Sequence, residues 1–98
     1  MNMAKGYWIT CYRSVSDESA LQNYARLAGP AIAVHGGRFL ARGIPVKEYE
    51  AGLRQRLVII EFETVKQAIA TYESPEYQAA LAILKGAVER DVRIIEGL

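Results

Sequence analysis

Two stretches of this chain are apolar on both faces of a strand, and they restrict the fold more than any other feature. Lys5 to Arg13 alternates Tyr7, Ile9 and Cys11 with Trp8, Thr10 and Tyr12. Neither set is charged, and aromatic and β-branched residues favour a strand. Arg56 to Glu63 opens with Leu57-Val58-Ile59-Ile60, again apolar on both sides, and closes with Glu61-Phe62-Glu63. Such strands need cover on two sides. A chain of 98 residues has one core with which to provide it, so residues 1–98 are read as a single domain.

The segments around these strands are amphipathic. Ser14-Val15-Ser16-Asp17-Glu18 is a helix start, with Ser16 as the expected cap and two acids at the positive end of the dipole. Leu21, Tyr24, Ala25, Ala28, Ala31, Ile32 and His35 recur at helical spacing. Gly29-Pro30 predicts a kink or two abutting helical segments, because proline lacks a donor and clashes with the preceding turn. Gly36-Gly37 ends the helix, since glycine accepts a positive φ without Cβ strain.

Gly37 to Gly43 then reads as a strand, with Phe39 and Ala41 on one face and Arg38, Leu40 and Arg42 on the other. Two guanidinium forks on one face suit a carboxylate, although for Arg38 solvation or a neighbouring glutamate is the favoured reading. Glu61 is either at the solvent end of its strand or paired with an arginine such as Arg42. Ile44 to Gln55 is an exposed connection, long enough to rim a binding site or meet a partner.

Thr64 and Gln67 have the form of a capping box, followed by Ala68, Ile69 and Tyr72. Ser74-Pro75 restarts the helix, which continues with Tyr77, Ala80, Leu81, Leu84 and Val88 on its apolar face. Asp91 to Glu96 is a short final strand, and Met1 to Ala4 a loose end. The order β-α-β-β-α-β with right-handed crossovers gives a ferredoxin-like α+β fold, a four-stranded antiparallel sheet with the helices on one face. The other face is then apolar and bare. A second sheet of the same kind is its simplest cover, so a homodimer through the sheet faces is expected.

Composition removes several functions. The formal net charge is +1 and no basic run or aromatic-basic stripe occurs, which argues against nucleic acid. The apolar runs are too short to cross a bilayer and the start lacks a signal-peptide core, so the cytoplasm is the expected location. The single cysteine, Cys11, reads as a small buried hydrophobe. One histidine and one cysteine far apart give no chelate spacing, so no metal or other cofactor is expected.

Five segments together resemble one family: Lys5-Gly6-Tyr7-Trp8-Ile9, His35-Gly36-Gly37-Arg38-Phe39-Leu40-Ala41-Arg42-Gly43, Val58-Ile59-Ile60-Glu61-Phe62, Tyr72-Glu73-Ser74-Pro75-Glu76-Tyr77-Gln78 and Ile94-Ile95-Glu96-Gly97. The chain is similar to the small bacterial proteins of the domain of unknown function thirteen-thirty family, in the dimeric α+β barrel superfamily. One departure is Arg42-Gly43-Ile44, where that family usually has Arg-Gly-Gly. The resemblance implies a dimer with sheets face to face. It implies no reaction, because the superfamily spans cofactor-independent monooxygenases, muconolactone isomerases, haem-degrading enzymes and ligand-sensing domains, and fold does not choose among them.

Two function classes follow. In the first, a small cofactor-independent enzyme, monooxygenase- or isomerase-like, binds a small aromatic or carboxylated compound between sheet and helices. Trp8, Tyr24, Phe39, Tyr72 and Tyr77 would form the walls, Arg42 would hold an anionic group, and His35 would move a proton. In the second, the chain is a non-catalytic metabolite-binding or stress-response dimer whose Ile44–Gln55 segment is a contact surface. Each residue also has a structural reading: a histidine at a helix C-terminus answers the dipole, and tyrosines fill cores. A haem-binding variant, with His35 as its only axial candidate, ranks last.

Overall fold

The computed structural model describes residues 4–98; residues 1–3, part of the expected loose end, lie outside the described residues. The elements in order are β1 (Gly6–Val15), α1 (Glu18–Val34), β2 (Arg38–Gly43), β3 (Leu57–Phe62), α2 (Val65–Tyr72), α3 (Pro75–Leu84) and β4 (Val88–Glu96). They form one antiparallel sheet in the order β2-β3-β1-β4, the ferredoxin-like arrangement. No helix among the described residues is long and apolar enough to cross a membrane.

The caps come from the residue types that favour them, with one exchange. Asp17, not Ser16, caps α1 by accepting from the Ala20 amide. Ser16 is occupied elsewhere: its hydroxyl donates to the Ala87 carbonyl at 3.0 Å and stitches the end of β1 to the start of β4. Thr64 caps α2, and Ser74 caps α3 with Pro75 in the first turn. α1 is one helix and not two segments, running through Pro30. Glycine at position 29 removes the Cβ that would otherwise crowd the proline ring in helical geometry. The helix closes in a Schellman motif, in which the Gly36 amide donates to Ala33 and the Gly37 amide to Ile32, with Gly36 at φ 90°.

The two faces of β1 separate as their alternation predicts. Trp8, Thr10 and Tyr12 are buried beneath the helices with Val58, Ile60 and Phe62 of β3. Tyr7, Ile9 and Cys11 face the other way and stay half-buried, beside Leu57, Ile59 and Glu61. The Cα atoms span 44 × 35 × 16 Å, so the molecule is two layers thick, and among the described residues no helix or strand stacks on this second face. The 44–56 connection stands off it, leaving a cleft of about 450 Å³ lined by Cys11, Leu57, Arg93, Tyr49 and Leu53. Val46, Tyr49 and Ile95 are exposed apolar residues around it.

Candidate functional site

The sheet places a short row of polar residues among the apolar ones on its helix side. Tyr12 of β1 stands opposite Arg90 of β4, and its amide bonds the Arg56 carbonyl just before β3 at 3.1 Å. The next row on the same side is Arg42, Val58, Thr10 and Val92. Here the structure corrects the alternation read for β2. The register slips between Phe39 and Ala41, a bulge at Leu40. An extra residue reverses the facing of everything after it. Arg38 and Arg42 therefore lie on opposite faces, Arg42 toward α1 and Arg38 toward the open face. Glu61 pairs with Arg38, not Arg42, and also accepts from Tyr7 at 3.1 Å and faces Lys5 at 3.7 Å.

Between these rows and α1 lies a cavity of about 40 Å³. Its walls are the apolar Trp8, Leu21, Ile32, Phe39, Val58 and Ile60 together with the polar Thr10, Tyr12, Tyr24, Arg42, Arg56 and Arg90. Ala25, Ala28 and Gly29 of α1 form its roof with small side chains. The sequence pattern does not single out Arg56 or Arg90. Arg90 lies outside the strand expected from Asp91 onward, because β4 begins at Val88 and runs through the polar Glu89-Arg90-Asp91 before its apolar residues.

Arg90 is held by phenols. Its guanidinium donates to Tyr12 at 3.0 Å, Tyr77 at 2.9 Å and Tyr24 at 3.4 Å, and it lies over the rings of Tyr12 and Tyr24. The Tyr24 and Tyr77 hydroxyls share a 2.6 Å hydrogen bond. Burial pushes the Tyr12 phenol up, with Arg90 opposing it. Burial likewise pushes Tyr77 up, and Tyr24 adds to the shift. These phenols are neutral donors near pH 7, not bases. For Arg90, burial opposes the charge, but the facing hydroxyls outweigh it and its pKa stands above the ordinary arginine value.

Of the residues read as a site from sequence, Trp8, Tyr24, Phe39 and Arg42 line this cavity. Tyr77 is buried behind the wall, bonded to Tyr24. Tyr72 faces a separate groove with Ile69, Leu81, Val92 and Ile94, reached by Arg90 from the other side. His35 joins neither. Its carbonyl accepts from Gln67 Nε2 at 2.7 Å and its ring bonds Glu76 at 2.9 Å, so it ties the end of α1 to α2 and α3. That pair predicts a pH dependence. The His35 hydrogen bond, then one from its own backbone amide, holds the Glu76 carboxyl below its ordinary 4.5. A depressed carboxyl stabilises the fold fully above its unfolded pKa, and the contribution is lost as pH falls through the folded value. Thermal melts between about pH 5 and about pH 3 are expected to fall less steeply in Glu76→Gln than in the wild type.

The model of the family described as "Domain of unknown function (DUF1330)" matches residues 5–98. The chain belongs to the DUF1330 family. Several solved structures share the fold of this DUF1330 protein. A protein of unknown function from Rhodopseudomonas palustris aligns with TM-score 0.75 and 16% identity, over 99% of this chain and 85% of that one. A putative antibiotic biosynthesis monooxygenase from Nitrosomonas europaea aligns with TM-score 0.61 and 18% identity, over 96% and 98%. SnoaB, a cofactor-independent oxygenase from Streptomyces nogalater, aligns with TM-score 0.65 and 9% identity, over 94% and 91%. No curated protein matches the sequence. At these identities the likeness is one of fold.

The chemistry open to this DUF1330 cavity is set by its lining. It contains no carboxylate, histidine, lysine or cysteine, and among the described residues no three metal-ligating side chains converge. Arginines and neutral phenols can hold and polarise an oxygen anion. They do not take a proton from a weak acid.

Proposed function

We propose that this protein is a small homodimeric, cofactor-independent enzyme that binds a compact aromatic or carboxylated compound between sheet and α1. The observation that carries the reading is the cavity itself, whose walls are mostly apolar and aromatic with three arginines among them. Few polar groups on an apolar wall are what orients a small ligand. Arg42, exposed at the rim, meets the anionic group; Trp8 and Phe39 bound the ring. The cofactor-independent oxygenase SnoaB, of the same fold, supports chemistry that needs no bound cofactor. The homodimer rests on the bare apolar sheet face and the cleft beside it. Because no base lines the cavity, a substrate that arrives already ionised fits this reading best.

The same lack of a base favours a second reading, a metabolite-binding dimer without turnover. Native mass spectrometry of the purified protein tests what both share. A dimer mass with a reproducible additional mass is expected, and Ala25→Phe, which fills the cavity from α1, should lose that mass while the dimer persists. His35→Ala should keep it. A mass retained in Ala25→Phe would place the ligand elsewhere. Turnover of the identified compound then separates enzyme from binder.

A further inference from the structure

The cavity holds more positive charge than the chain answers. Lys5, Arg13, Arg38, Arg54 and Arg93 each have a carboxylate at ion-pair distance. Among the described residues Arg26, Lys47, Lys66 and Lys85 have none and are exposed to solvent, whereas Arg42, Arg56 and Arg90, also without one, all line the one cavity between sheet and α1. They come from different parts of the sheet, and the register brings them to the same face: Arg42 on β2, Arg56 leading into β3, Arg90 on β4. Arg56 supplies a separate sign. Its Nε is buried and has no hydrogen-bond partner, and buried donors are nearly always paired.

We propose that the cavity is an anion site whose ligand is a small aromatic carboxylate, gripped by Arg56 and Arg42 with the Arg90–tyrosine cluster behind them. The proposal rests on the cavity reading above and narrows it from aromatic or carboxylated compounds to those that are both. Three guanidinium groups in one partly enclosed space repel one another, and the repulsion is greater there than in water. A carboxylate relieves it and gives the Arg56 Nε an acceptor in the planar, two-oxygen geometry that suits a guanidinium. Arg90 is immobilised by three hydroxyls, so its charge is already in place before a ligand arrives. Leu21, Ile32, Val58 and Ile60 then receive a ring, which a bare inorganic anion lacks. A neutral compound can offer the Arg56 donor an acceptor but leaves the positive charge uncompensated, and a cation would add to the repulsion.

Trp8 is the only tryptophan and lines the cavity, so its fluorescence reports occupancy. Titrating the whole protein with benzoate and with the isosteric, neutral benzamide at matched ionic strength tests the proposal. Benzoate should bind about tenfold tighter or more, the worth of one charge-assisted hydrogen bond. Arg56→Gln should bring benzoate down toward the level of benzamide, and circular dichroism of the variant reports that it is folded. Should Arg56→Gln not fold, the same comparison is made with Arg42→Gln at the exposed rim. Equal binding of the two probes would overturn the anion site and leave the cavity reading standing. Binding of neither would overturn both.

Discussion

Replacing Trp8 with alanine is expected to cost about 3–5 kcal/mol, the range for removing a large aromatic from a packed core. Trp8 is 1% exposed and stacks on Phe62 at 6.1 Å between ring centroids, with Tyr72 tilted at 5.4 Å and Tyr77 edge-on at 5.0 Å. Its indole N–H donates to Thr10 Oγ1 at 2.8 Å, a buried hydrogen bond. No neighbour can collapse into the vacated space without breaking the sheet register, because Phe62 and Thr10 are fixed by their own strands. Small domains hold about 5–15 kcal/mol in all, so the variant should sit near the edge of unfolding. Urea denaturation followed by circular dichroism measures this. Trp8→Phe keeps a ring in the stack but removes the donor to Thr10, and should lose a smaller amount, about 1–3 kcal/mol. A loss under about 1 kcal/mol for Trp8→Ala would mean that the aromatic cluster is not the centre of the core.

The order of elements was legible because the strongest periodicities in the chain are its real ones. Tyr7 to Tyr12 and Leu57 to Phe62 keep strict alternation through the paired region of β1 and β3. Thr64 and Ser74-Pro75 mark helix starts whose side chains do cap. The polar half of the site was less legible, for three local reasons. One residue of bulge at Leu40 reverses the facing of Arg42, and nothing in Phe39-Leu40-Ala41 announces it. β4 starts at Val88, three residues before the strand expected from Asp91, so Arg90 falls outside that expected strand although it faces Tyr12 across the sheet. Arg56 precedes its strand, and its facing follows from the Tyr12 amide that bonds its carbonyl, a contact between distant parts of the chain. His35 shows the reverse. Its rarity draws attention in the sequence, and the fold puts it on Glu76 and Gln67.

Ile59→Lys is expected to abolish the proposed homodimer. Ile59 occupies the middle of the open sheet face, opposite Ile9 on one side and Ala41 on the other. Tyr7, Cys11 and Leu57 surround it, and no element of the same chain stacks over them. If two such faces meet, the lysine ammonium must enter an apolar layer with no carboxylate beside it, since Glu61 is already engaged by Arg38 and Tyr7. An uncompensated charge in such a layer costs several kcal/mol, which weakens association by about 100-fold or more. Sedimentation equilibrium at micromolar concentration should show a dimer for the wild type and a monomer for the variant. Val34→Lys is the control, because Val34 ends α1 on the far side and is 76% exposed; it should leave the dimer intact. A wild-type monomer, or a dimer that survives Ile59→Lys, would mean that the sheet face is not where two copies meet. The exposed apolar residues of the 44–56 connection, Val46, Tyr49 and Leu53, and the cleft beneath it would then need a different partner to cover them.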